Sequence, residues 1–191
     1  MNKIIGILGM QGAIAEHQEI LLQIPHTKTR IVKTAKDLDC IDGLILPGGE
    51  STAIGKLLDY FSLKEILQEK IISGLPVFGT CAGLILLAKN IENETNTHLA
   101  TMDITVKRNG YGSQLDSFST NLLIPTIDKN MPIPLVFIRA PYITKTDKDV
   151  KILATLDNKI IAARQKNMLV SSFHPELTCD LRFHQYFLSM I

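Results

Sequence analysis

Three short stretches carry residues with chemistry to offer: Gly79-Thr80-Cys81-Ala82-Gly83, His174-Pro175-Glu176 and Pro47-Gly48-Gly49. The first has the G-x-C-x-G form of a nucleophile elbow with cysteine in the serine's place. It lies between two apolar runs, Leu75–Phe78, read as a strand, and Gly83–Lys89, read as a buried helix. Small neighbours suit a nucleophile held on a tight, strained turn with other backbone passing close by. Such a turn puts the Cys81 sulfur at a helix N-terminus, where unpaired N–H groups and the macrodipole favour the thiolate. His174 and Glu176, two apart in chain read as extended, project to one side. Glu176 can then accept a hydrogen bond from one imidazole nitrogen while the other faces a nucleophile. Cysteine, base and orienting carboxylate make up the generalised triad. Thiolate attack on an amide builds a negative oxygen that needs two preorganised N–H donors. The Ala82 N–H is one candidate, and an N–H of Gly48 or Gly49 is the other. Standing alone, each stretch also has an ordinary reading: a small buried thiol, a loop histidine beside a solvated glutamate, a strand-to-helix turn.

The elements around these stretches alternate up to the elbow. Lys3–Met10 reads as a strand, Ala13–Ile24 as a helix, Thr29–Lys33 and Gly43–Leu46 as strands. Ser51 or Thr52 can cap a helix running through Tyr60, and Leu63–Ile71 reads as a second helix closed by Gly74. This order implies a parallel sheet with helices on both faces. Gly6, Gly9 and Gly12 follow G-x-x-G-x-x-G rather than the dinucleotide G-x-G-x-x-G, so a loop lining a pocket at a strand's carboxyl end is the better reading. Beyond Asn90 come short strand candidates, Met102–Lys107, Leu122–Ile124, Leu135–Arg139, Ile152–Leu156, Lys159–Arg164 and Met168–Phe173, with Asp157-Asn158 as a hairpin turn. Phe183, Tyr186, Phe187 and Met190 mark one face of a closing helix. The expected architecture is α/β: a single domain over residues 1–191, a three-layer, flavodoxin-like sandwich with a mostly parallel central sheet and a mixed sheet extension.

Composition narrows the function classes. A net charge of +1 on 191 residues gives no strong field for nucleic acid. Three distant cysteines, Cys40, Cys81 and Cys179, suit neither a disulfide framework nor a zinc site, and Cys40 and Cys179 read as packing residues or bystanders. No apolar run approaches the roughly 20 residues that span a bilayer, and the N-terminal run stops at Gln11-Gly12 without a cleavage site, so a soluble cytoplasmic chain is expected. His17, His26, His98 and His184 carry no catalytic context in the sequence.

Together these segments resemble the class I (triad) glutamine amidotransferases and, more narrowly, the PdxT/SNO family, the glutaminase subunits of pyridoxal 5'-phosphate synthase. The resemblance runs through Leu8–Gly12, Gly43–Thr52, Gly79–Leu84, Arg108–Gly112, Asp116–Phe118, Phe137–Pro141 and Ser172–Leu177, in one order over essentially the whole chain. One departure is Gly110-Tyr111, where the family more often has Ser-Phe after Arg-Asn. The resemblance implies Cys81 as nucleophile, His174 as general base and then acid, and Glu176 as its orienting partner. It implies that Gly49, Glu50, Ser51, Arg108, Ile138 and Arg139 hold L-glutamine. It also implies a PdxS-type synthase partner in a complex of twelve synthase and twelve glutaminase subunits. Pyridoxal phosphate would be the partner's product, and this chain would need no cofactor or metal. Two other readings stay open: a different cysteine hydrolase on this scaffold, such as a γ-glutamyl hydrolase, and a non-enzymatic regulator of a synthase.

Overall fold

Buried strands that alternate their side chains between two apolar layers organise the molecule. The computed structural model describes residues 2–110 and 117–191. In β1 (Lys3–Leu8), β3 (Gly43–Leu46), β4 (Val77–Thr80) and β12 (Met168–Ser171), successive residues serve opposite layers, as the period of two requires. Ile7, Ile45, Phe78 and Leu169 face one layer; Leu8, Leu44, Leu46, Val77 and Val170 face the other. The first layer is closed by α1 (Ile14–Leu22), α5 (Arg182–Leu188) and the hairpin β7 (Ser117–Leu122)–β8 (Ile133–Ile138). The second is closed by α2 (Ser51–Tyr60), α3 (Lys64–Ile72) and α4 (Ala82–Leu87).

The main sheet runs β2 (Thr27–Val32), β1, β3, β4, β12, β11 (Lys159–Gln165), β9 (Tyr142–Thr146), β6 (Met102–Lys107) and β5 (Ala88–Ile91), with β10 (Lys151–Leu156) paired to β11 off this path, and β7-β8 form a separate antiparallel pair. Strands β2, β1, β3, β4 and β12 are mutually parallel. β11 turns antiparallel to β12, and β9, β6 and β5 carry the mixed extension. This is the expected α/β class with a mostly parallel core. The Asp157-Asn158 turn has φ of 48° and 59°, the left-handed pair that a two-residue hairpin between β10 and β11 requires.

Two local readings are corrected, and one strand is added. The helix expected to reach Lys89 stops at Leu87 because the N–H groups of Leu99, Ala100 and Thr101 cap the Leu86 and Leu87 carbonyls, and the chain enters β5 directly. β7 occupies Ser117–Leu122, not Leu122–Ile124, since its polar alternation with β8 carries the pairing while Ile124 opens a turn. β9 has no signal of its own beyond Tyr142-Ile143-Thr144, and its partners on β6 and β11 select it. The motif residues Tyr111, Gly112 and Asp116 lie outside the described residues.

Candidate active site

The carboxyl ends of β1, β3, β4 and β12 face one cavity of about 640 Å³, the position where open parallel sheets bind ligands. Cys81 joins β4 to α4 at φ 47°, ψ −97°, a strained conformation for a non-glycine residue, of the kind that costs about 1–3 kcal/mol. Its N–H donates to the Ser171 carbonyl at 2.8 Å, one step beyond the last paired residues of β4 and β12. The elbow needs a glycine at 83, where a Cβ would stand 2.1 Å from the Leu46 carbonyl oxygen. The sulfur sits 4.0 Å from the Ile138 carbonyl, on the end of β8.

His174 follows β12 and is fastened by its N–H to the Val136 carbonyl at 2.8 Å. Its Nδ1 lies 2.7 Å from Glu176 Oε1, and both residues are buried. The pairing is not made in extended chain. Pro175 opens a 3-10 turn over Pro175–Leu177, and the turn folds the carboxylate back under the ring. Burial alone would push the imidazole pKa down; the neighbouring Cys81 and the hydrogen-bonded Glu176 carboxylate outweigh it and hold the pKa up at about 10. His174 therefore carries its proton at neutral pH. The Glu176 carboxyl is held low: burial opposes its charge, and His17 and His174 outweigh that opposition. The triad residues expected from the sequence thus meet in one place.

Gly48, Gly49, Glu50, Ser51, Ala82, Arg108, Ile138 and Arg139 line the same cavity as Cys81 and His174. Glu50, rather than Ser51 or Thr52, caps α2, its carboxylate accepting from Thr52 N (3.1 Å) and Ala53 N (2.7 Å). A carboxylate spans both donors, which a single hydroxyl does not, and these bonds hold its pKa low against burial. Arg108 donates to Ser51 Oγ at 2.8 Å and sits 2.6 Å from Glu94 Oε1 without hydrogen-bond alignment. Arg139 stands at φ 42° at the cavity wall. Gln11 Oε1 accepts from the Glu50 N–H at 2.7 Å, and the Ala13 N–H donates to the Gly48 carbonyl at 3.0 Å, so the loop after β1 is tied to Pro47-Gly48-Gly49. Cys40 and Cys179 are both exposed, which makes them bystanders and not packing residues.

Sequence reasoning assigned His17 nothing. In the structure it is fully buried on α1, with Nε2 3.5 Å from Glu176 Oε2. The signal was absent because α1 comes far earlier in the chain than residue 176 and only the sheet brings them together. Among the described residues no cluster of His, Cys, Asp and Glu could hold a metal ion, and no helix is long and apolar enough to cross a membrane.

Residues 7–191 match the model of the SNO glutamine amidotransferase family. A protein of Ruminiclostridium cellulolyticum named pyridoxal 5'-phosphate synthase subunit PdxT is 53% identical over 189 residues, covering 99% of this chain and 100% of that protein. A protein of the same name from Carboxydothermus hydrogenoformans is 54% identical over 187 residues, covering 98% and 97%. A solved structure described as a glutamine amidotransferase superposes with a TM-score of 0.90 at 38% identity, covering 97% of each chain. The matched region takes in the elbow, the glycine turn after β3 and the His-Pro-Glu turn alike, and the chain belongs to the SNO glutamine amidotransferase family.

Proposed function

We propose that the chain hydrolyses L-glutamine to L-glutamate and ammonia and supplies the ammonia for pyridoxal 5'-phosphate synthesis. The observation that carries the mechanism is that Cys81 and His174 line one cavity while Glu176 is bound to the far nitrogen of the His174 ring. The Cys81 thiolate attacks the side-chain amide carbon, forming an S–C bond and placing negative charge on the carbonyl oxygen. N–H groups of Ala82 and of Gly48 or Gly49 stabilise that oxygen. As the intermediate collapses, protonated His174 gives its proton to the leaving nitrogen, the C–N bond breaks and ammonia departs. A γ-glutamyl thioester remains. Neutral His174 then takes a proton from water, whose oxygen displaces the sulfur, restoring thiolate and imidazolium. Glu176 keeps the imidazole oriented throughout. Gly49, Glu50, Ser51, Arg108, Ile138 and Arg139 hold the substrate.

Ammonia is mostly protonated in neutral water and then is no nucleophile, so a glutaminase of this kind serves a synthase that receives ammonia directly. The relatives' name, a subunit of pyridoxal 5'-phosphate synthase, supports a synthase partner; our reading is a PdxS-type partner, twelve of each subunit, in the cytoplasm. The loop Gln11-Gly12, tied to Glu50 and Gly48, rearranges on docking to complete the oxyanion site, which makes the isolated subunit slow. The test is glutamate release from glutamine with and without the synthase. Cys81→Ala abolishes it in both; glutamate release surviving that change overturns the assignment. Hydrolysis of folylpolyglutamates with glutamine ignored would instead point to a γ-glutamyl hydrolase.

A further inference from the structure

Behind the triad lies a second buried chain of polar groups that the mechanism above does not use. His17 and His184 are both fully buried, and His17 Nδ1 lies 3.0 Å from His184 Nε2. The other nitrogen of His17, Nε2, lies 3.2 Å from Thr80 Oγ1 and 3.5 Å from Glu176 Oε2. Glu176 spends Oε1 on His174, while Oε2 is buried and no hydrogen bond of ordinary geometry reaches it. A charged oxygen left without a donor in a dry site is costly, and His17 Nε2, 3.5 Å away, is the ionisable nitrogen paired with it.

The proton positions follow from charge. Burial holds His184 neutral, pushing its pKa down to about 3, and burial lowers His17 as well, against the raising effect of Glu176. With both rings neutral, each has one N–H to place. A lone pair of His17 Nε2 turned on the Glu176 carboxylate would repel it, so the proton belongs on Nε2. Nδ1 then accepts from His184 Nε2–H, which leaves His184 Nδ1 as the acceptor without a partner, and that atom has none. The charged or titratable groups facing His17 are Glu176 and His174 behind the site, His184 on α5, and Glu16 on its own helix.

Resting on the glutaminase reading, we infer that His17 is a positioning residue for the reaction, fixed by His184 in the Nε2–H form and holding Glu176 Oε2 so that Oε1 stays on His174 Nδ1. Without that donor the carboxylate turns to satisfy Oε2 elsewhere, and the His174 ring loses its fixed orientation. His17 touches neither glutamine nor sulfur, so substrate binding is untouched.

The experiment compares His17→Phe and His17→Gln in the complex with the synthase, with Cys81→Ala as the control for the reading beneath. His17→Phe lowers kcat about 10- to 100-fold, the range for one hydrogen bond to a charged group, while KM stays within about twofold. The basic limb of its pH profile moves to lower pH, because a loosened Glu176 supports less charge on His174. His17→Gln, whose amide N–H can reach Oε2, recovers most of the rate. Wild-type kcat and an unmoved limb in His17→Phe overturn the inference, as does His17→Gln matching the Phe defect at an unchanged melting temperature. Independently of any variant, nitrogen-15 NMR of the wild-type chain shows His17 protonated at Nε2; protonation at Nδ1 overturns it. Activity persisting in Cys81→Ala sinks the glutaminase reading itself, a failure distinct from silence at position 17.

Discussion

Gly48→Ala places one methyl group against the His174 imidazole. A Cβ built at residue 48 stands 2.3 Å from His174 Cε1 and 2.9 Å from Nδ1, whereas ordinary contact begins at 3.4 Å. The ring or the loop must give by about 1.1 Å, the difference between 3.4 and 2.3 Å. The ring is poorly placed to yield, since Nδ1 is held by Glu176 at 2.7 Å and the His174 N–H by Val136. The loop is tied by Ala13 to the Gly48 carbonyl. A misplacement of about 1 Å at a reacting group is enough to cost about 100-fold in rate. The expected result is a kcat for glutamine hydrolysis lowered by about two orders of magnitude, with the synthase present. Stability falls by about 1–3 kcal/mol, the usual cost of overpacking. The assay is glutamate release under saturating glutamine, with thermal melting to show that the variant is folded. A folded Gly48→Ala enzyme with wild-type kcat would refute the placement of His174 against this turn.

Other changes read the site and its scaffold separately. Glu176→Gln removes a charge that raises the His174 pKa, so the basic limb of kcat/KM falls by about 1–2 pH units, the equivalent of one charge-assisted hydrogen bond; a limb unmoved or shifted upward contradicts the assignment. Gly83→Ala drives a Cβ to 2.1 Å from the backbone oxygen of Leu46, where no flexible side chain can retreat. It is expected to lose about 1–3 kcal/mol, several degrees in melting temperature by calorimetry, and an unchanged melt would show that the elbow is looser than drawn.

What the sequence made legible was local chemistry. Gly79–Gly83 announces a nucleophile because the small residues and the apolar runs on either side are adjacent in the chain. His174-Pro175-Glu176 announces a base and its partner for the same reason, although proline turns the chain where extended geometry was expected. Glu50 was read as a substrate residue; in the structure it caps α2, since the N–H groups of the second and third helical residues together suit a carboxylate better than a hydroxyl. The rest is set by distant contacts. β5 starts where it does because residues 99–101 fold back on the end of α4, and His17 meets Glu176 only through the packing of α1 on the sheet. Neither leaves a mark in nearby residues.

β12 lies between β4 and β11, in the interior of the sheet, although it is the final strand in the chain. The strand that leads into His174 is therefore also the one that closes the sheet. During synthesis, a nascent polypeptide halted before Met168 holds the sulfur but has neither its imidazole nor the carbonyl that receives the Cys81 amide, and it leaves β4 with a bare flank. No glutamine can be consumed until translation has passed Glu176, long after the sulfur-bearing residue itself has been made.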